Sequence, residues 1–256
     1  MAHVLAASGF HVSILLGVVL AIAKKIKLKS KPQLIIGIVT LIIYVSLTGL
    51  QPSVLRASLM GIASLIWLVR DENTNTQNKI KPIDTLLIIA TLLLIFNPRW
   101  IGDLGFQLSF LATLGLLVTM PPLVKKLDFL PTTIASVVAI PISAMIWTSA
   151  IAIYNFKVFP TYSILVNIIT TPLILIISIG GFISAGISLI FPTLGEFIAW
   201  LISFPLNLLM RIIEYFNSLP YSQLELSLNL IVVTIIYIIF FLIYFLKLTQ
   251  KKKKQI

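Results

Sequence analysis

Long apolar runs separated by short polar breaks dominate this chain. The first, Ala2 to Ala23, ends in Lys24, Lys25, Lys27, Lys29 and Lys31. Others follow at Leu34–Leu50, Val54–Val69, Thr85–Phe96, Leu104–Met120, Thr133–Tyr154, Tyr162–Ile179 (extendable to Phe191), Glu196–Phe216 and Leu228–Leu246. A helix rises about 1.5 Å per residue, so about 20 apolar residues cross a roughly 30 Å hydrocarbon layer. The pattern therefore predicts an all-α, polytopic integral membrane protein of about nine transmembrane or re-entrant helices. Two runs are irregular. Thr85–Phe96 has only 12 residues, which predicts either a half-helix or a span completed by Asn97–Ile101. Tyr162–Phe191 has 30 residues with Gly180-Gly181 near its middle, which predicts a break there and a re-entrant or interfacial second part. The polar stretch Arg70–Lys79 is expected to be a water-exposed loop.

Composition agrees: 59% of the 256 residues are hydrophobic, 11% are charged, and mean hydropathy is +1.08. Soluble domains carry about 25% charged residues, so a soluble enzyme is excluded. The net charge of +11 resembles a nucleic-acid signal until the charges are placed. With nine spans and the N-terminus outside, residues 24–33, 70–84, 121–132, about 192–195 and the tail face the cytoplasm. Those segments hold fifteen of the nineteen basic residues, as the positive-inside rule requires. Only Arg56, Arg99, Lys157 and Arg211 fall elsewhere, so most of the excess sets orientation. The lysines follow the first run, whereas a cleaved signal peptide carries its positive charge before it. Residues 1–246 read as one membrane domain and 247–256 as a lysine-rich cytoplasmic tail, a stop-transfer flank before it is a contact for anionic lipid. With no cysteine, disulfide, thiolate and iron–sulfur chemistry are out. His3 and His11 lack neighbouring carboxylates, so no metal or cofactor is expected.

Polar side chains at membrane depth are costly and mark candidate sites. In His3-Val-Leu-Ala-Ala-Ser8-Gly9-Phe-His11, the two histidines share a broad helix face, with Ser8 beside them. Gly9 permits close packing or a break. The plain alternative is a pair of interfacial histidines. In Gln51-Pro-Ser-Val-Leu-Arg56-Ala-Ser-Leu-Met60-Gly61, Pro52 suits a helix start, and Ser53, Arg56, Met60 and Ser64 form one stripe. Arg56 alone would be explained by snorkelling; the stripe would not. In Asn97-Pro-Arg-Trp-Ile-Gly102-Asp103-Leu-Gly105-Phe-Gln107-Leu-Ser109-Phe110, Asp103 and Gln107 face the same way. Asp103 is equally explained as a helix cap, and an Asp103–Arg56 pair would neutralise both charges. Gly61, Gly102, Gly105, Gly180 and Gly181 are candidates for helix packing or helix breaks.

Together the three clusters resemble the ComEC/Rec2 competence-protein family. "HVLAASGFHVSILLG" is similar to its H-L-L-A-x-S-G-x-H element, "QPSVLRASLMG" to its P-S-x-x-R-A-x-x-M element, and "NPRWIGDLGFQLSFLATLG" to its N-P-x-x-x-x-D-x-G-F-Q-L-S-F-x-A segment. All three occur in the family's order within residues 3–115. The resemblance implies a channel that passes single-stranded DNA into the cytoplasm during natural transformation, located in the cytoplasmic (inner) membrane. It implies a DNA receptor and a cytoplasmic motor as partners, with a homo-oligomer left open. The motif positions carry over as His3, Ser8, Gly9, His11, Arg56, Asp103, Gln107 and Ser109. Family members usually have an OB-like domain before the first motif, and many have a metallo-β-lactamase-like nuclease domain after the channel. Neither pattern is in this sequence, so a split product, a remnant or a fragment is expected, with those parts encoded separately and no enzyme activity.

Three other readings compete. A small-solute secondary transporter would also show broken helices and midplane polar groups, but inverted repeats are absent. An intramembrane enzyme using His3 or His11 with Asp103 or Glu196 lacks any H-E-x-x-H or G-x-S-x-G pattern. A non-functional channel remnant would insert and transport nothing.

Overall fold

A computed structural model describes residues 9–74 and 81–253. Nine α-helices run through the described residues: α1 Gly9–Lys25, α2 Ser30–Leu47, α3 Pro52–Thr74, α4 Pro82–Phe96, α5 Leu104–Lys126, α6 Thr132–Phe156, α7 Ser163–Ser188, α8 Pro192–Ser218 and α9 Leu230–Lys253. Five of them (α2, α5, α6, α7 and α8) are long and apolar enough to cross a membrane unaided, and α3, α4 and α9 contain shorter apolar stretches. Few large hydrophobic side chains on these helices are buried and many are exposed, as befits surfaces solvated by lipid rather than water. The chain is an all-α, multi-pass membrane protein.

Several boundaries correct the expectations from the apolar runs. The Gly180-Gly181 pair does not break α7, which is continuous over 26 residues. A helical glycine costs only about 1 kcal/mol, and here Gly180 lets α8 approach closely: a Cβ on it would lie 2.8 Å from Ile202 Cγ1. The polar stretch after Arg70 is not wholly a loop, because α3 continues to Thr74. Likewise, α9 carries on through Lys253, so most of the lysine tail extends the last helix instead of forming a separate element. The short fourth run is a helix of 15 residues, about 22 Å long. It stops at Phe96, because Asn97 and Pro98 lead into a 3-10 turn, Pro98–Gly102.

The chain divides into two compact units, Met1–Phe110 with Ile169–Ile212, and Leu111–Ile168 with Ile213–Ile256. In the first, α1, α2 and α3 pack around Val12, Leu41, Val45 and Val54. Gly61 belongs to this packing, with Leu16 and Leu41 methyls 3.1 and 3.4 Å from where its Cβ would be. Buried Gln33 closes the α1–α2 turn by donating from Nε2 to the Leu28 carbonyl at 2.7 Å. In the second unit, Trp147 of α6 donates from Nε1 to Thr119 Oγ1 of α5 at 2.8 Å, and Tyr237 of α9 donates its hydroxyl to the Trp147 carbonyl at 2.7 Å. The same unit holds a two-stranded antiparallel ladder, β1 Val158–Pro160 against β2 Gln223–Glu225, with Phe159 opposite Leu224. Lys157 enters it in the left-handed region, φ 57°.

Candidate functional site

The three sequence clusters converge in the first unit. Their meeting point is Arg56, in the first turns of α3. Its Nε donates to Ser109 Oγ of α5 at 2.7 Å, and its Nη1 lies 3.8 Å from Met60 Sδ, one turn along α3. The Phe110 ring lies beneath the guanidinium, 5.9 Å from Cζ to the centroid, within cation–π range. On the other side α1 passes close by at Gly9, where a Cβ would fall 2.5 Å from Arg56 Nη2 and 3.2 Å from Ala57 Cβ. Gly9 therefore serves close approach, and only a residue without a side chain leaves the guanidinium its place.

The wall behind Arg56 is a tight apolar contact. Ile89 and Leu93 of α4 and Phe106 of α5 are buried against Leu55, Leu59 and Met60 of α3, with Trp100 and Phe110 at the edge. The Phe106 and Phe110 rings are 4.4 Å apart. Phe106 is buried and packs the wall. Phe110 is the ring that faces the cation.

The third cluster resolves into turn-building. Asn97 accepts from the Arg99 amide through its side chain at 3.2 Å. Asp103 Oδ1 accepts from the Phe106 amide at 2.7 Å and so caps α5. Gln107 donates from Nε2 to the Ile101 carbonyl at 2.7 Å. These side chains satisfy the backbone where α4, the 3-10 turn and α5 meet, which a polar turn near lipid requires. Asp103 makes no ion pair with Arg56: its carboxylate is a cap, and Arg56 bonds Ser109, six residues further along the chain.

Capping and charge make opposite predictions for one substitution. Asp103→Asn keeps the acceptor oxygen and is expected to melt close to the parent, whereas Asp103→Ala loses about 1 kcal/mol. Thermal unfolding in detergent separates them; equal losses for both would show that the charge itself matters.

The remaining candidates divide as follows. His3 and Ser8 lie outside the described residues. His11 is on α1, half-buried, with its ring 6.2 Å from Phe10; at roughly 100° per residue it is about 200° round the helix from Gly9. Gln51 is exposed, and its backbone carbonyl accepts from the Val54 and Leu55 amides to begin α3. Ser64 Oγ bonds the Met60 carbonyl, so the stripe on α3 narrows to Arg56 and Met60 at the site. Gly102 and Gly181 have no atom within 4 Å of a Cβ position, and at Gly105 the nearest is Asp103 Oδ1 at 3.1 Å. Among the described residues, no group of three or more His, Asp or Glu could hold a metal ion. Sequence reasoning placed Ser109 in the cluster without its role. Thr119 and Tyr237 are lone polar residues in apolar runs with no repeat to flag them, Trp147 is one aromatic among many there, and Gln33 lies among the lysines of 24–33.

A model of the competence-protein family matches residues 1–251. Among curated proteins, the chain is similar to ComE operon protein 3 of Bacillus subtilis (strain 168), 29% identical over 175 residues, covering 66% of this chain and 21% of that protein. The chain thus spans about a fifth of the length of the curated relative it matches. No solved structure matches it.

Proposed function

The chain belongs to the competence-protein family, and on that premise we propose that it forms the membrane channel, or part of one, that carries single-stranded DNA into the cytoplasm during natural transformation. One observation carries the reading. The family-like elements around Gly9, Arg56 and Ser109, each on a different helix, meet at a single guanidinium held against an aromatic face. A guanidinium held between a hydroxyl and an aromatic ring suits a polyanionic strand with exposed bases. A single such contact is weak enough for the strand to pass on. The direct test is exchange of Arg56 in the chromosomal gene, with labelled duplex DNA followed separately through surface binding and entry; its expected outcome opens the Discussion.

The proposed channel is residues 1–246, in the cytoplasmic membrane with the N-terminus outside. It works with a DNA receptor, a cytoplasmic motor, and OB-like and nuclease parts. No catalytic step is assigned to the membrane region. Orientation rests on charge placement: Lys24 and Lys25 end α1, and Lys125 and Lys126 end α5, four helices later and so on the same side. Because the chain has no cysteine, single cysteines report without background. A membrane-impermeant maleimide is expected to label Lys157→Cys in intact cells and Lys27→Cys only after permeabilisation. The reverse pattern would invert the topology.

A further inference from the structure

The turn between α1 and α2 is the most strongly charged connection among the described helices. Lys24, Lys25, Lys27, Lys29 and Lys31 fall within eight residues and are all exposed, and no Asp or Glu occurs in the chain before Asp71. Orientation in the membrane needs only a bias of positive charge, and the other connections between helices carry little. Lys125 and Lys126 are followed by Asp128, and Arg70, Lys79 and Lys81 are matched in number by Asp71, Glu72 and Asp84. Among the described residues, none of the five lysines of the turn is in an ion pair.

Helix length sets the depth of these charges. α2 has 18 residues, about 27 Å of helix against a hydrocarbon layer of about 30 Å. Ser30 therefore stands at the edge of that layer, and the turn lies just outside it. The crest folds back onto α1 instead of rising into water. The Lys27 amide donates to the Lys24 carbonyl at 2.9 Å, and the Leu28 amide donates to the Ala23 carbonyl at 3.0 Å. Gln33 holds the Leu28 carbonyl from the α2 side. This paired closure ends a helix through one left-handed residue, for which glycine is the ordinary choice. Here that residue is Lys27, φ 56°.

Charge and apolar surface together select the occupant. Ile26 is 63% exposed between Lys25 and Lys27, and Ile22, one turn earlier on α1, is 57% exposed. The two isoleucines lead from the turn into the hydrocarbon. A nucleic acid or an acidic peptide would satisfy the lysines and leave this stripe bare. An anionic phospholipid satisfies both, with its phosphate among the lysines and an acyl chain along Ile26 and Ile22. We propose that the α1–α2 turn is a binding site for the headgroup of an anionic phospholipid. The turn is already closed by its own hydrogen bonds, so binding has little ordering of the backbone to offset.

The test uses the full chain purified in zwitterionic detergent, with phosphatidylglycerol, phosphatidylcholine or a single-stranded oligonucleotide added. Phosphatidylglycerol is expected to bind and to raise the Tm, and phosphatidylcholine to do neither. Each lysine removed from the turn is expected to weaken binding about fivefold, so Lys27→Gln, Lys29→Gln and Lys31→Gln together weaken it about 100-fold. Lys125→Gln with Lys126→Gln is expected to leave it unchanged. Lys27→Gly separates charge from fold, because glycine relaxes the left-handed backbone. Its Tm without lipid should hold or rise, while phosphatidylglycerol binding falls about fivefold. Four results would overturn the proposal: equal stabilisation by the two lipids, a loss per lysine at Lys125 and Lys126 equal to that in the turn, unchanged lipid binding in Lys27→Gly, or displacement of bound phosphatidylglycerol by the oligonucleotide at equal phosphate concentration. The last would make the turn a contact for nucleic acid.

Discussion

Replacing Arg56 with alanine is expected to cut DNA entry by about 10- to 150-fold while the protein accumulates normally. The range follows from losing a charge-assisted contact worth about 1.5–3 kcal/mol, at about 1.36 kcal/mol per decade of rate. Stability moves the other way or not at all. A guanidinium in the membrane is costly to keep there, and its partners can manage without it. Ser109 can turn back to a carbonyl one helical turn earlier, as Ser13, Ser46, Ser64 and Ser136 already do, and the Phe110 ring packs equally well against an apolar neighbour. A purely structural arginine would behave differently, with abundance, melting and entry falling together. Arg56→Lys keeps the charge but loses the planar fork and is expected to lie between alanine and the parent. Ser109→Ala releases the Nε anchor at 2.7 Å without removing charge, for a loss nearer tenfold. Surface binding of DNA should be unchanged in all three. Entry at the parental rate in Arg56→Ala, with the protein present, would reject the proposed role.

That experiment targets a contact the sequence did not reveal. The apolar runs located the helices because lipid imposes length and composition on each segment independently. Partners across helices obey no such local rule. Asp103 looked like the mate of Arg56 because it was the nearest family-like residue of opposite charge. Six residues separate it from Ser109, about 9 Å along a helix, and the crossing of α3 and α5 chooses the nearer neighbour. The same limit hid the ladder between β1 and β2, two three-residue strands more than sixty residues apart in the chain. Gly180-Gly181 misled for another reason: glycine marks both breaks and close contacts, and only the helix across from it, here α8 at Ile202, decides which. Asn97 and Asp103 were easier to read, because capping is local and its residue types are few.

A large stability loss is expected at Gly115, in the second unit. A Cβ there would come 2.7 Å from the Ser143 carbonyl oxygen and from Trp147 Cδ1, and 2.9 Å from Trp147 Cγ. None of these neighbours yields easily. The carbonyl belongs to the backbone of α6. The indole is held through its ring nitrogen by Thr119, and the backbone carbonyl of Trp147 accepts from Tyr237, with the Phe240 ring 5.4 Å from the indole. Gly115 and Thr119 are one turn apart on α5, and Ser143 and Trp147 one turn apart on α6, so a single methyl presses on a two-turn contact. Gly115→Ala is expected to lose about 1–3 kcal/mol through overpacking, a fall of roughly 2–4 °C in Tm per kcal/mol for a chain near this length. Gly115→Val should lose more and weaken the Trp147–Thr119 bond, which shows as a red shift of tryptophan emission if water reaches the ring. Two glycines give the contrast. At Gly37 the closest atom to a Cβ is a side-chain end, Leu65 Cδ1, and at Gly17 nothing lies within 4 Å, so alanine at Gly37 should lose less than at Gly115 and at Gly17 nothing. Melting of the purified protein in detergent ranks the three, and equal tolerance of alanine at Gly115 and Gly17 would mean that α5 and α6 do not pack through this contact.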